Sequence, residues 1–174
     1  MSIKYARTQA EKLVDRLGIN SLPIKVEQVA KSLDLTVTSA NLGDEVSGLL
    51  ISDGTSAHVI THENDGPKRQ RFTIAHEIGH YYLQHQFEAG EHVHVDRGHY
   101  ISQRGPKASD GTDIKEIEAN QFAASLLMPS KLVREKVTGL GGGSLLDHQV
   151  SQLAEMFEVS EQAMTIRLTT LGLL

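Results

Sequence analysis

Arg71-Phe72-Thr73-Ile74-Ala75-His76-Glu77-Ile78-Gly79-His80-Tyr81-Tyr82-Leu83 is the stretch that decides the fold. It contains no proline, and its apolar residues recur at helical spacing, so it predicts a buried α-helix. His76 and His80 are four residues apart and lie on one face of such a helix, where both imidazoles can reach a single metal ion. Glu77 follows the first histidine directly, so its carboxylate can approach a water molecule on that ion. This H-E-x-x-H arrangement is typical of zinc peptidases. The alternative, a surface helix with two solvated histidines, is disfavoured because apolar residues bury the helix.

A third ligand is needed, because catalytic zinc usually takes three protein ligands and keeps one position for water. The metzincin class is excluded, since the position of its third histidine holds a glutamine here. His85 lies five residues after His80, and we expect a solvated histidine or one at the edge of the core. On the next predicted helix, Glu118 lies beside the apolar stripe, whereas Glu116 is expected to project away from it. The residues that spacing leaves open as the third ligand are Glu118, Asp113, Glu116 and the loop histidines.

The rest of the chain alternates between helical and strand-like patterns, which predicts an α+β fold. The sheet is expected to be small, mostly antiparallel and three-stranded, and to pack against the H-E-x-x-H helix and its neighbours. Residues 88–112 predict a long surface loop, in which 92–95 alternate in the manner of an edge strand. The strands are expected at 35–37, 46–51 and 57–61, and the helices at 4–17, 22–33, 68–86, 114–128, 130–137, 146–157 and 160–170.

Composition limits the classes of function that the chain can serve. It has 174 residues, a formal net charge of −5 and no cysteine. The negative charge argues against broad electrostatic binding of nucleic acid or anionic membranes. Without cysteine there is no disulfide, and any metal must be held by His, Asp or Glu. No signal-peptide or membrane-spanning pattern is present, so a cytoplasmic protein is expected.

Two strings carry a resemblance to a known family. Residues 69–80 read Arg-Gln-Arg-Phe-Thr-Ile-Ala-His-Glu-Ile-Gly-His, and residues 118–129 read Glu-Ala-Asn-Gln-Phe-Ala-Ala-Ser-Leu-Leu-Met-Pro. Both resemble the hallmark motifs of the ImmA/IrrE family of bacterial and phage metallopeptidases. A third string, 159–168, is similar to the family's C-terminal helical segment. The resemblance therefore runs through nearly the whole chain.

The resemblance implies a gluzincin-like site with one zinc ion per chain. Its ligands would be His76, His80 and Glu118, and Glu77 would be the catalytic residue. The chain departs from gluzincins such as thermolysin in one respect, because Phe122, not an acid, stands four residues after Glu118. The group that orients His76 from behind is therefore left open.

The function that the resemblance implies is that of a zinc-dependent endopeptidase with a zinc-bound water activated by Glu77. Its substrate would be a helix-turn-helix repressor or an antitoxin. The alternative is a zinc-binding regulatory or toxin-like partner that binds its cognate repressor without cutting it. Manganese or iron would also suit the ligand types, and the sequence does not set the oligomeric state or show whether the 88–112 loop gates the cleft. The candidates for stabilising an oxyanion are Tyr100, His99, His94 and Arg167.

The C-terminal helices have the rhythm of a helix-turn-helix. From Ser151 to Leu174 the one basic residue is Arg167, against three glutamates. A DNA-recognition helix needs several donors to phosphates and bases, so direct nucleic-acid binding is not expected. We expect instead a metallopeptidase domain, 1–138, with a C-terminal helical subdomain, 139–174, packed on it.

Overall fold

A computed structural model describes residues 2–43, 46–52, 56–85, 93–96, 110–141 and 145–174. The predicted α+β class is confirmed by the helices and strands found there. The helices are α1 (Ile3–Arg16), α2 (Val26–Ser32), α3 (Pro67–Tyr82), α4 (Asp110–Leu127), α5 (Ser130–Gly139), α6 (Asp147–Phe157) and α7 (Glu161–Thr170). The strands are β1 (Leu35–Ala40), β2 (Gly48–Ser52), β3 (Ala57–His62) and β4 (Val93–Asp96).

The sheet contains the three expected strands and a fourth, in the order β1-β3-β2-β4. β2 runs antiparallel to both β3 and β4, whereas β1 is parallel to β3. The count of three strands is corrected to four in the described chain, and the edge strand expected at 92–95 is confirmed as β4, which pairs with the outer edge of β2. That pairing sets Leu49 opposite Val95. Residues 53–56 of the sequence also predict a hairpin turn between β2 and β3, and 53–55 lie outside the described residues.

Helix α3 passes through the centre of the fold and packs against α4, α2, β2 and β3. Every residue from Thr73 to His80 is buried, including both histidines and Glu77. The helix begins at Pro67, whose fixed φ suits the first helical position, and is followed by Leu83 as its C-cap. Polar side chains inside a core need hydrogen-bond or ionic partners. Those of α3 include Asn120 and Glu116 of α4.

Helices α6 and α7 contribute residues to the apolar core of the chain. Leu153, Phe157, Met164 and Leu168 are fully buried and belong to the same apolar core as α1 and α4. Arg167, on α7, donates to the Met128 carbonyl at 2.9 Å and to Glu11 on α1 at 2.9 Å. The subdomain boundary at 138/139 stays a prediction. None of the described helices combines the length and apolarity needed to cross a membrane.

Candidate metal centre

Helices α3 and α4 approach each other closely at Gly79. A Cβ atom at this position would lie 3.2 Å from both Cα and the carbonyl oxygen of Ala119, and 3.3 Å from Cβ of Phe122. Glycine is a weak helix former, so its presence in mid-helix is accounted for by this close contact. The two backbones are therefore near enough for side chains on both helices to meet.

His76, His80 and Glu116 converge at this contact. The Nε2 atoms of His76 and His80 are 3.0 Å apart. The Glu116 carboxylate lies 3.2 Å from Nε2 of His76 and 3.3 Å from Nε2 of His80. Across the described part of the chain, this is the group of His, Asp and Glu ligand atoms that lie within 4.8 Å of one another. Both imidazoles are buried, while the Glu116 side chain is 34% exposed, so the cluster reaches solvent at its carboxylate.

Glu118, expected to be the third ligand, contacts His85 instead. Its Oε2 atom is 3.1 Å from Nε2 of His85, and both side chains are buried. Helix geometry gives the reason: at about 100° per residue, Glu116 lies about 60° from Ala119 around the α4 axis, whereas Glu118 lies about 100° away. Glu116, expected to project away from the apolar stripe, is thus nearer its centre and faces α3. Glu116 replaces Glu118 as the candidate third ligand, and the side chain of Asp113 lies outside the described residues.

Asn120 is the group that orients His76. Its Oδ1 atom lies 3.0 Å from Nδ1 of His76, so the imidazole donates there and turns a lone pair on Nε2 toward the cluster. The expected position, four residues after Glu118, is Phe122, which is fully buried in the core. Counting four residues from Glu116 instead gives Asn120, on the same face of α4. A spacing of four residues, applied from Glu116, would have identified Glu116 and Asn120 as a pair from the sequence.

His85 is buried rather than solvated, with 6% of its surface exposed. Its Nδ1 atom lies 3.1 Å from Nδ1 of His80, and the two rings meet edge to face with centroids 5.0 Å apart. Burial lowers the pKa of His85 below its ordinary value of 6.5, although the hydrogen bond and the charge of Glu118 oppose the shift. A neutral imidazole has one donor and one acceptor nitrogen, which matches the two partners of this ring.

The donor set fits a metal ion. With its Nδ1 atom hydrogen-bonded to Asn120, His76 directs an Nε2 lone pair at the Nε2 atom of His80 and at the Glu116 carboxylate. Two imidazole nitrogens and a carboxylate oxygen that meet in a mostly buried place need a proton or a metal cation among them. Two imidazole nitrogens and one carboxylate oxygen are the ligand set of many catalytic zinc sites. The residues present would thus hold zinc with one position left for water.

Glu77 follows His76 on α3 and lies on the side of the helix that faces β2. Its side chain is fully buried. A Cβ atom at Gly48 on β2 would lie 3.4 Å from Oε1 of Glu77 and would overlap the methyl group of Thr73. Glycine at the start of β2 therefore leaves room for the Thr73 methyl group next to the Glu77 carboxylate.

The candidates for stabilising an oxyanion are only partly described. Arg167 is 3% exposed, and its guanidinium is engaged by the Met128 carbonyl and by Glu11. These partners leave Arg167 a role in packing. Tyr100 and His99, and the side chain of His94, lie outside the described residues.

Comparisons with known proteins concern the family and the fold of this chain. A peptidase family model described as "IrrE N-terminal-like domain" matches residues 30–169. "Metallopeptidase ImmA" of Bacillus subtilis (strain 168) is 26% identical over 169 residues, covering 97% of this chain and 87% of that protein. A solved "Mycobacterium tuberculosis transcriptional regulator" matches with a TM-score of 0.63 and 15% identity, over 97% of this chain and 47% of that chain. This chain spans about half the length of that structure, and the likeness shows the fold alone.

Proposed function

The chain belongs to the ImmA/IrrE family of metallopeptidases, and from this premise we propose that it is a zinc-dependent endopeptidase whose metal is held by His76, His80 and Glu116. The observation that carries the proposal is the convergence of these three side chains at the contact of α3 and α4. Imidazole and carboxylate ligands that leave one position open distinguish a catalytic zinc site from a closed structural one. One zinc ion per chain is expected.

Glu77 is the proposed general base. Zinc, when bound at this site, supplies a Lewis acid that polarises a scissile carbonyl and acidifies a water molecule. Glu77 accepts the proton of the attacking water and passes it to the nitrogen of the leaving amine. Burial of its side chain limits competition from bulk water, and Asn120 holds His76 in the tautomer that a ligand must have. The peptide bond is thereby hydrolysed without a covalent intermediate on the protein.

The proposed substrate is a helix-turn-helix repressor or an antitoxin. The support is the family resemblance of the two motifs, at 69–80 and 118–129. Repressors and antitoxins act in the cytoplasm, so the proposal keeps the cytoplasmic location expected from the sequence. The C-terminal helices are proposed to serve the peptidase as packing elements, since their one basic residue is buried.

The ligand assignment is tested by the metal content of the purified protein. We expect about one zinc per chain in the wild type, by elemental mass spectrometry, and loss of zinc in His80→Ala and Glu116→Ala. The matched control is Glu135→Ala, which removes an exposed helical glutamate on α5 and is expected to keep the metal. Zinc at the wild-type level in Glu116→Ala would contradict the assignment of Glu116.

The peptidase activity is tested with Glu77→Gln. This variant is expected to keep its zinc and to lose cleavage by about 100-fold or more, because the amide cannot accept the proton. Cells that express the wild type or the variant are compared by mass spectrometry of newly formed protein N-termini. New termini within a DNA-binding regulator, found with the wild type alone, support the proposal. If the wild type and Glu77→Gln affect their target equally and no termini form, the protein is instead a zinc-binding partner that does not cut.

A further inference from the structure

A chain of hydrogen bonds leads from α4 to the back of His80. Glu118 Oε2 lies 3.1 Å from Nε2 of His85, and Nδ1 of His85 lies 3.1 Å from Nδ1 of His80. All three side chains are buried, each with at most 6% of the residue exposed. The sequence predicted a metal ligand at Glu118 and no role for His85. Their contacts place both directly behind the metal cluster.

The directions of these hydrogen bonds are fixed by chemistry. Nε2 of His80 faces Glu116 and His76, so it is the nitrogen available to a metal. In a neutral imidazole the other nitrogen then carries the hydrogen, and Nδ1 of His80 must donate to Nδ1 of His85. His85 accepts there, so its own hydrogen is on Nε2 and is donated to the Glu118 carboxylate. A single arrangement of tautomers satisfies every partner in the chain.

The turn at the end of α3 places His85 against His80. Gln84 follows the C-cap with a φ of 54°, in the left-handed region, and turns the chain back on the helix. The backbone N–H of His85 donates to the His80 carbonyl at 3.0 Å, and that of Gln84 donates to the Tyr81 carbonyl at 3.1 Å. These are the two hydrogen bonds of a Schellman motif. The turn brings His85 onto His80, although helical spacing would have rotated it away.

We propose that His85 and Glu118 are positioning residues that hold His80 in its ligating orientation. The inference rests on the proposed function, because it takes His80 as a zinc ligand. Carboxylate–histidine–zinc arrangements orient the ring of the ligand and raise its basicity. Here the same effect reaches His80 through one intermediate imidazole. The two ligand histidines are thus supported differently, His76 by the neutral amide of Asn120 and His80 by a chain that ends in a carboxylate.

The experiment measures zinc affinity by competition with a chromophoric chelator. His85→Ala and Glu118→Ala are each expected to weaken zinc binding by about 10-fold to 100-fold. The double variant is expected to lose no more than the worse single variant, because both act through one chain. His85→Gln keeps an acceptor for the His80 N–H and is expected to recover part of the affinity. The visible spectrum of the cobalt-substituted protein is expected to change in His85→Ala, since the orientation of one ligand changes.

Glu11→Ala is the matched control for a purely structural effect. Like Glu118, Glu11 is a carboxylate that pairs with a buried side chain, here Arg167, but it is partly exposed and lies outside the metal cluster. Its removal is expected to lower stability and to leave zinc affinity and the cobalt spectrum unchanged. If His85→Gln binds zinc no better than His85→Ala, or if the losses in the double variant add, the positioning role is refuted.

The outcomes separate this inference from the proposed function. Retention of zinc in His80→Ala would contradict the proposed site itself. Loss of zinc in His80→Ala and Glu116→Ala, with wild-type affinity in His85→Ala and Glu118→Ala, would leave the site standing and overturn the inference. If Glu118→Ala abolishes binding while Glu116→Ala binds normally, Glu118 is a ligand and the inference also fails.

Discussion

Replacement of Gly79 by alanine tests whether the contact of α3 and α4 builds the metal centre. The added Cβ atom would meet three atoms of α4 at 3.2–3.3 Å, two of them in the backbone of Ala119. Backbone atoms cannot rotate out of the way as a side chain can, so the helices must separate by a few tenths of an ångström. Ala119 lies between Glu116 and Asn120, and the displacement therefore moves a proposed ligand and the group that orients His76.

Two opposing effects set the magnitude for stability. Alanine in place of glycine within a helix stabilises by about 1 kcal/mol. Overpacking of a well-packed contact costs about 1–3 kcal/mol. The net expectation is a decrease of about 0–2 kcal/mol in the free energy of unfolding. The effect on the metal is expected to be larger, a loss of at least about tenfold in zinc affinity, because ligand geometry tolerates displacement poorly.

The assay combines urea unfolding of the metal-free protein with chelator competition for zinc. Gly139→Ala is the matched control, since Gly139 is also helical, has an ordinary φ and has no atom within 4 Å of an added Cβ. The control is expected to gain up to about 1 kcal/mol and to bind zinc as the wild type does. If Gly79→Ala gains as much as Gly139→Ala and keeps its zinc affinity, the contact does not hold the ligands in place.

Three further predictions follow from buried contacts. Gly48→Ala is expected to lower the free energy of unfolding in urea by about 1–3 kcal/mol, because its Cβ overlaps the Thr73 methyl group. Adding Thr73→Ser to this variant should restore most of the lost stability, and no restoration would contradict the overlap. Arg167→Met is expected to lower the free energy of unfolding by about 2–4 kcal/mol, because the Glu11 carboxylate and the Met128 carbonyl lose their donor. Arg134→Met, at an exposed position, should change it little, and equal losses in the two variants would contradict this explanation. Because burial lowers the pKa of His85 below 6.5, the unfolded chain binds more protons there. The unfolding free energy of the metal-free protein should therefore fall as the pH drops below 6.5, and less steeply in His85→Gln. Parallel pH profiles would exclude His85 as a source of that dependence.

The features that the sequence predicted correctly are those that depend on local spacing. His76, Glu77 and His80 lie within one turn and a half of α3, so their relative placement follows from helix geometry alone. The strands β2 and β3 alternate between the two faces of the sheet with period two, which is also a local pattern. The observed helix ends differ from the expected ones by at most four residues, and His76, Glu77 and His80 lie inside α3 in both cases.

The features that the sequence analysis missed depend on how two elements meet. The choice between Glu116 and Glu118 depends on which side of α4 faces α3, and the two residues differ by about 200° around the helix axis. The apolar stripe of α4 indicates which side faces α3, and Glu116 lies closer to the centre of that stripe than Glu118 does. The position of His85 depends on a left-handed residue, Gln84, which no glycine marks in the sequence. The edge strand at 92–95 was expected, but its neighbour was not, because β4 is distant in sequence from the edge of β2 with which it pairs.

The C-terminal helices are spaced like those of a helix-turn-helix but differ from one in their charges. A helix-turn-helix binds DNA through basic and polar side chains on its second helix. Here the one basic residue of that segment, Arg167, is 3% exposed and donates inward, to the carbonyl of Met128 and to Glu11. Met128 directly follows α4, the helix that carries Glu116, Glu118 and Asn120. The cation that DNA binding would require on the surface is held inside the fold, which supports the proposal that the C-terminal helices are packing elements.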